Sequence, residues 1–373
     1  MMTRAQGRNV DLTELLTVAS FSMGAEGGLK VDAAVVSQLS EVPAGARTLE
    51  HRGYDGCWTA EINHDPFLPL TLAAEHTTSI ELGTSIAVAF ARNPMSVAQI
   101  GWDLQDYSRG RFILGLGSQI KPHIEKRFSM PWSRPVARMH EFVTALREIW
   151  SCWREDRVLS FEGEFYTHTL MTPMFVPPAH AHGDPKIFVA AVGDRMTEMC
   201  GEVGDGLLAH AFSTQRYFRE VTLPTLSRGL QRAGRQRNDV EVASPLFVVT
   251  GSDEAELRSA ADRTRKQIAF YASTPAYRTV LELHGWGELQ TELHRLTRED
   301  RWDAMGTLID DTILAEFAVV APVEELAHKI RARCDGLIDR VLVGFPPTVD
   351  EATVIDVVAE LRCGASSTKK ESG

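Results

Sequence analysis

The sequence predicts an α/β fold of the (β/α)8 barrel class, and three observations carry that expectation. Short apolar runs, suited to strands buried on both faces, alternate with helical stretches. The alternation counts eight strand–helix pairs between residues 31 and 362, and right-handed crossovers between neighbouring parallel strands would close such a series on itself. Ile80 to Ser118 alone holds one complete βαβ unit. A doubly wound open sheet is the competing fold, and the eightfold alternation favours the barrel. A chain of 373 residues has room for two domains, but equally for one barrel with insertions.

Residues 1–30 mix Arg4, Arg8, Asp11 and Glu14 with a short apolar run from Leu15 to Ala25. The acids before that run and its polar breaks speak against a secretory signal, so a disordered extension is expected. The barrel domain is expected over 31–362. Val31–Ser37 is its first strand, followed by a helix over Pro43–Arg52 closed by Gly53. Tyr54–Ala60 is the second strand, with a polar loop at Glu61–Asp65 and a helix opened by Pro66. Ile80–Ala89 is the third. Asn93-Pro94 then starts a helix, proline being pre-set for its first turn. Val97, Ile100, Leu104 and Tyr107 form its apolar stripe. Arg109-Gly110 ends it, and Arg111–Gly117 is the fourth strand.

An irregular segment to Pro135 and a helix over Val136–Trp153 come next, then an excursion rich in Pro, His and Thr over 156–185. Lys186–Ala191, Gly206–Ala211, Val240–Thr250 and Arg340–Phe345 are strands five to eight. Helices are expected from Asp194, over Thr214–Ala233 and over Val349–Arg362. A long helical stretch from Glu254 to about Arg333, broken by Pro275, Gly285, Gly287 and Pro322, precedes the eighth strand. The insertions thus follow strands 4 and 7, and 363–373 is expected to be a disordered tail.

Composition narrows the function. The chain is 44% hydrophobic and 24% charged, as a globular protein with a large core requires. A formal charge of −11 argues against nucleic-acid binding, which needs a basic face. No apolar run approaches the roughly 18 residues of a membrane helix. Five cysteines without a Cys-x-x-Cys pair read as reduced thiols of a cytoplasmic protein. No serine nucleophile elbow and no P-loop is present. His180-Ala181-His182 has metal-like spacing but no acid or cysteine beside it, so a solvent-exposed pair is expected rather than a metal site.

In a barrel, chemistry gathers at the C-terminal ends of the strands. Those ends carry a resemblance. Tyr54-Asp55-Gly56-Cys57-Trp58-Thr59-Ala60-Glu61, Leu82-Gly83-Thr84-Ser85-Ile86 with Arg92-Asn93-Pro94, and Arg111-Phe112-Ile113-Leu114-Gly115-Leu116-Gly117-Ser118 are similar to strands 2, 3 and 4 of the bacterial luciferase-like flavin and deazaflavin enzymes. Ala190-Ala191-Val192-Gly193 and Gly201-Glu202-Val203-Gly204-Asp205-Gly206 match strands 5 and 6. Within that group the chain most resembles the branch that uses coenzyme F420, an 8-hydroxy-5-deazaflavin.

The resemblance implies an oxidoreductase that moves a hydride between F420 and an organic substrate, with a homodimer left open. The same scaffold serves monooxygenases that use flavin mononucleotide (FMN) and oxygen, and a non-catalytic carrier of a flavin-like ligand is a third reading. It places cofactor contacts at Glu61, Ser85, Ile86, Val88, Gly117, Ser118, Gln119, His123, Ala191, Val192, Gly193 and Arg195. Ser85-Ile86 falls at a strand-end bulge that backs the cofactor ring, often with a non-prolyl cis peptide. Glu61 stands where the family has a cofactor-contacting Asp, and Ile62 where several members have a catalytic His. His64, two residues on, is therefore the expected proton-handling residue, assisted by Glu61; Gln119 and His123 are second choices. Capping of the helix at Pro66, or a bond to Asp65, is an equal alternative for His64.

Two features bear on the ligand from the residues themselves. Gly115-Leu116-Gly117 is only half of a dinucleotide fingerprint, since Ile120 holds the third glycine position. These glycines answer either to close backbone packing or to cofactor contact. Lys121, Lys126, Arg127, Arg134 and Arg138 stand against the single acid Glu125 just after strand 4. Such a run is either a solvated face or a cradle for an anionic tail, which F420 has and FMN lacks beyond its phosphate. Gly193 opens a helix whose amides could hold a phosphate beside Arg195, unless Asp194 is only its cap. Trp286 in the strand-7 insertion is expected to pack, with a lid or a subunit contact as the alternative role for that insertion.

Overall fold

The computed structural model describes residues 28–35 and 38–363. The expected disorder at both termini falls, but for a few residues, outside them, as do the last two residues of the expected first strand. Eight strands form the barrel: β1 (Lys30–Ala34), β2 (Gly56–Thr59), β3 (Glu81–Thr84), β4 (Phe112–Gly117), β5 (Lys186–Ala190), β6 (Gly206–Leu208), β7 (Glu241–Pro245) and β8 (Arg340–Leu342). Each pairs in parallel with its sequence neighbours, and β8 returns to β1 through Lys30↔Arg340 and Val31↔Val341. The ring is closed, so the open-sheet alternative is excluded.

Alternation along the strands builds two cores. Outward residues such as Leu82, Leu114, Ile187 and Val341 are fully buried under the surrounding helices. Each contributes on the order of 1.5–3 kcal/mol of burial. Inward, Trp58, Ile113, Phe188, Leu208 and Ala243 fill the barrel. Glycines on neighbouring strands make that filling possible: a Cβ at Gly83 would lie 2.4 Å from the Trp58 ring, and one at Gly206 2.4 Å from Phe188.

Charges close the N-terminal end. Arg340, with no exposed surface, makes a two-pronged pair with Asp32 at 2.9 Å per prong, and its Nη1 reaches Glu81 at 2.5 Å and Glu241 at 3.2 Å. Lys30 bridges Glu81 and Glu241, and Lys186 meets Glu241 at 2.5 Å. Burial alone would raise the Glu241 pKa, but Lys186, Lys30 and Arg340 outweigh it and hold the carboxyl down at about 2. Glu81 is likewise pulled below its ordinary value by Arg340 and Lys30 against burial.

Helices start where side chains can satisfy their free amides. Asn93 caps Pro94–Tyr107 by accepting from the Ser96 N–H at 3.0 Å, and Asp253 caps Glu254–Ala272 by accepting from Glu256 at 2.8 Å. The stripe of the first of these differs from expectation. Val97 and Leu104 are buried with Ala98 and Trp102, Ile100 is half-buried, and Tyr107 is exposed and bonds Glu75.

The seventh strand also differs. Val240–Thr250 is not one strand: β7 ends at Pro245, which lacks an N–H for a further ladder bond. The chain then leaves the barrel, and Phe247–Val249 pairs in parallel with Ala318–Val320, a strand hidden within the expected helical stretch. Between these two strands lie helices with their own hydrophobic core, built on Phe247, Ile268, Leu281, Leu293 and Phe317. Phe212 and Tyr217, which follow β6, belong to that core and dock the insertion on the barrel. Trp286 packs against it, its ring stacked on His284 at 4.7 Å. The strand-4 excursion contains a small antiparallel hairpin, Phe161–Glu162 with Thr167–His168.

Candidate active site

At the C-terminal ends of the strands the barrel is open. Ala34 and Ala60, small and exposed at the ends of β1 and β2, leave its mouth uncovered. The strand expected to reach Ala89 breaks after Thr84, at the bulge expected for Ser85-Ile86. The Ser85–Ile86 peptide is cis, and Ala87–Val88 resumes as a short strand alongside Leu116 and Gly117. The glycines of β4 make room for this bulge. A Cβ at Gly115 would stand 1.7 Å from the Thr84 carbonyl, and one at Gly117 2.8 Å from the Ile86 side chain. Close packing therefore accounts for both.

Glu61 is committed to the framework. It is buried, and its Oε2 accepts from the Val88 N–H at 2.7 Å and from Arg92 Nη1 at 2.6 Å. Arg92 continues to Asp65 at 3.0 Å. The carboxylate thus staples the strand-2 loop to the bulge, and its partner is Arg92 rather than His64. His64 is exposed and makes no hydrogen bond among the described residues; the capping alternative belongs to Asp65, whose Oδ1 accepts from Phe67 at 2.8 Å and Leu68 at 3.2 Å. Ile62 is 71% exposed, and its carbonyl accepts from Arg127, joining the loops after β2 and β4.

The other expected contacts divide by exposure. Ser85 and Ile86 are half-buried at the mouth, whereas the Val88 side chain is fully buried and offers only backbone. Ser118 and Gln119 are half-buried; Gln119 has a left-handed backbone (φ 59°), and its Oε1 accepts from Ile120 at 3.0 Å. His123 is exposed. Ala191 is buried, while Val192, Gly193 and Arg195 are exposed at the start of Asp194–Val203. A Cβ at Gly193 would meet nothing within 4 Å, so the approach to those helix amides is clear.

The cationic run is largely spent on the protein itself. Arg134 pairs with Glu164 and lies over Phe165. Arg138 is buried, donating to Tyr166 Oη at 2.8 Å and the Pro131 carbonyl at 2.7 Å, with its guanidinium 4.4 Å from the Phe90 ring. Lys121 faces Glu125 at 3.8 Å. Lys126 alone makes no ion pair or hydrogen bond among the described residues, so the run is no ready-made anion cradle. His180 is not free in solvent either: its ring packs 4.1 Å from that of Trp102. No group of three His, Cys, Asp or Glu side chains among the described residues is arranged to hold a metal.

Two cavities open at the mouth. One is walled by Asp32, Trp58, Ser85, Leu208, Pro245 and Leu342. The other is a cleft between the start of Asp194–Val203, the residues after β6, and Ala276, Tyr277 and Val280 of the insertion. Ala209 lines both. Beside it stands His210, which the sequence reading passed over. With the sixth strand drawn to Ala211, the strand-end rule pointed beyond it; β6 in fact ends at Leu208, which puts His210 at the mouth. Burial pushes its pKa down to about 4.

The luciferase-like monooxygenase family matches residues 14–340. The chain is a member of that family. An uncharacterized protein of Mycobacterium tuberculosis is 60% identical over 323 residues, 87% of this chain and 95% of that one. An F420-dependent glucose-6-phosphate dehydrogenase of Intrasporangium calvum is 28% identical over 80% of this chain and 84% of its own. The fold of the luciferase-like barrel is shared with the coenzyme F420 dependent tetrahydromethanopterin reductase of Methanopyrus kandleri (TM-score 0.72, 21% identity, 90% of this chain and 97% of that one). Family members are oxidoreductases or monooxygenases, and the mouth just described is where such a barrel places its chemistry.

Proposed function

We propose that the protein is an F420-dependent oxidoreductase acting on a small organic substrate. The observation that most supports this is the 28% identical relative named as F420-dependent, aligned over four-fifths of the chain. The mouth offers features that such a cofactor would use: Ser85 of the bulge lines a recess with Trp58, Leu208 and Leu342, and Gly193 leaves open the approach to helix amides for a phosphate. When bound, a deazaflavin supplies a hydride donor or acceptor at its C5. The protein's part is to orient and to handle a proton. His64 is the residue we assign to the proton, because its ring is exposed on the strand-2 loop with no partner among the described residues. Glu61 holds the bulge in place through Val88 and Arg92.

A second reading, an FMN-dependent monooxygenase, is favoured by the internal pairing of Arg134 and Arg138, which leaves little positive charge for a polyanionic tail. Fluorescence titration with F420 and with FMN, each at two salt concentrations, separates the two. Binding of F420 at least about tenfold tighter, or roughly 1.4 kcal/mol, is expected. Equal affinities move the assignment to the monooxygenase or to a carrier. Once a substrate or artificial acceptor is in hand, His64→Ala should lower turnover about a hundredfold with cofactor affinity unchanged. Wild-type turnover and an unaltered pH profile would send the proton to Gln119 or His123.

A further inference from the structure

The proposed function leaves His210 and the strand-7 insertion without a part. The His210 ring is stacked on Tyr277 (4.7 Å between centroids, 26° between planes) and met edge-on by Tyr271 (4.7 Å, 82°), both from that insertion. The Phe212 N–H donates to its Nδ1 at 3.0 Å. A neutral imidazole has one acceptor and one donor nitrogen, so a committed Nδ1 fixes the proton on Nε2. Burial keeps the ring neutral at physiological pH. Nε2 has no hydrogen-bond partner among the described residues, so its N–H is available.

The place of this donor is a junction. Ala209 lines both the recess beside the bulge and the cleft at the start of Asp194–Val203, and His210, next in the chain, lines the cleft. A cofactor with its ring at the recess and its phosphate at the helix amides would cross from one to the other here. In F420 and in FMN the segment that crosses is the same, an uncharged chain of hydroxyl-bearing carbons. Around the junction the cleft offers Ser213, Thr222 and the Asp194 carboxylate besides the imidazole. A hydroxyl both accepts and donates, so such a chain can take the Nε2–H and give its own protons to those oxygens.

We infer that His210 is a further cofactor-binding residue, its Nε2–H donating to a hydroxyl of the chain that joins the cofactor ring to its phosphate. The inference rests on the proposed function for the presence of such a cofactor, but not for the choice between F420 and FMN. The insertion then has a part in cofactor binding, since Tyr271 and Tyr277 fix the plane of the ring that carries the donor.

The test uses the full chain with ¹⁵N-labelled histidine, titrated in turn with five probes. F420 and FMN carry ring, chain and phosphate; riboflavin lacks the phosphate, lumichrome has only a ring, and inorganic phosphate is the fifth. F420, FMN and riboflavin should shift the His210 Nε2–H resonance, and lumichrome and phosphate should leave it in place. A shift with lumichrome or with phosphate, a shift with FMN that riboflavin does not reproduce, or a proton on Nδ1 would overturn the inference. His210→Phe keeps an aromatic ring and removes the donor. It should weaken F420, FMN and riboflavin about fivefold, as loss of one neutral hydrogen bond implies, and leave lumichrome unchanged. His210→Gln, which restores a donor, should recover most of the loss; a His210→Phe chain that binds like wild type sinks the inference. The failures are separable. Cofactor bound with no response at His210 removes the inference and leaves the proposed function standing. FMN bound with the response, and F420 not bound, moves the function to the monooxygenase or the carrier and keeps the His210 contact. If neither cofactor binds, both readings fall.

Discussion

The two ends of the barrel are made from the same eight strands and solve opposite problems. At the N-terminal end three cations, Lys30, Lys186 and Arg340, meet three carboxylates, Asp32, Glu81 and Glu241, so charge cancels within one network. At the C-terminal end His64, His123, Lys126 and Arg195 are exposed without partners among the described residues. The lesson is that polar groups on this scaffold are informative by what they have left over. A charge that has spent its bonds on the protein holds the barrel shut; one that has not is available to a ligand.

The strongest way to break this contrast is at Arg340. Arg340→Met leaves Asp32 buried without its partner and should cost about 3–5 kcal/mol, read from urea unfolding. Mouth ligands should bind the surviving folded fraction normally. A loss under about 1 kcal/mol would mean that the plug is ornamental. Next in size is Glu61→Ala, which strands the Val88 N–H and Arg92 and should cost about 1.5–3 kcal/mol. Unlike the plug variant it should also weaken cofactor binding, because the bulge is released; stability lost with affinity intact would reassign Glu61 to the plug's category.

The smallest expected effect is an acid one. Glu241 and Glu81 ionise more readily in the folded barrel than in the unfolded chain. Their contribution is therefore complete above the ordinary carboxyl value of 4.5 and is lost as the pH falls toward about 2. Melting temperatures measured across that window should decline less steeply in Glu241→Gln than in wild type. Parallel slopes would show that the acid sensitivity arises elsewhere.

Much of this was legible in the chain. Strands buried on both faces announce themselves as short apolar runs, so the barrel and the place of its mouth followed from Tyr54–Ala60, Arg111–Gly117 and their like. What escaped depends on contacts distant in sequence. Glu164 pairs with Arg134 and Tyr166 accepts a hydrogen bond from buried Arg138 from across the excursion, which no local charge count shows. Leu246 to Thr250 stays apolar whether it continues β7 or pairs with Ala318–Val320, so the departure from the barrel leaves little local trace beyond Pro245. His210 was missed by a strand boundary three residues too long.

That departure at Pro245 has a consequence for how the molecule can change. Phe247–Val249 and Ala318–Val320 lie side by side, so the segment between them leaves and re-enters the barrel through one narrow doorway. Closing such a doorway costs nearly the same chain entropy whatever the length of the loop beyond it, each doubling adding only about 0.6 kcal/mol. The segment can therefore grow, shrink or be exchanged between relatives while the eight strands stay where they are. What would vary with it are Tyr271 and Tyr277, and so the wall against which His210 rests. On this architecture a new ligand preference needs no new barrel, only a different guest in the doorway.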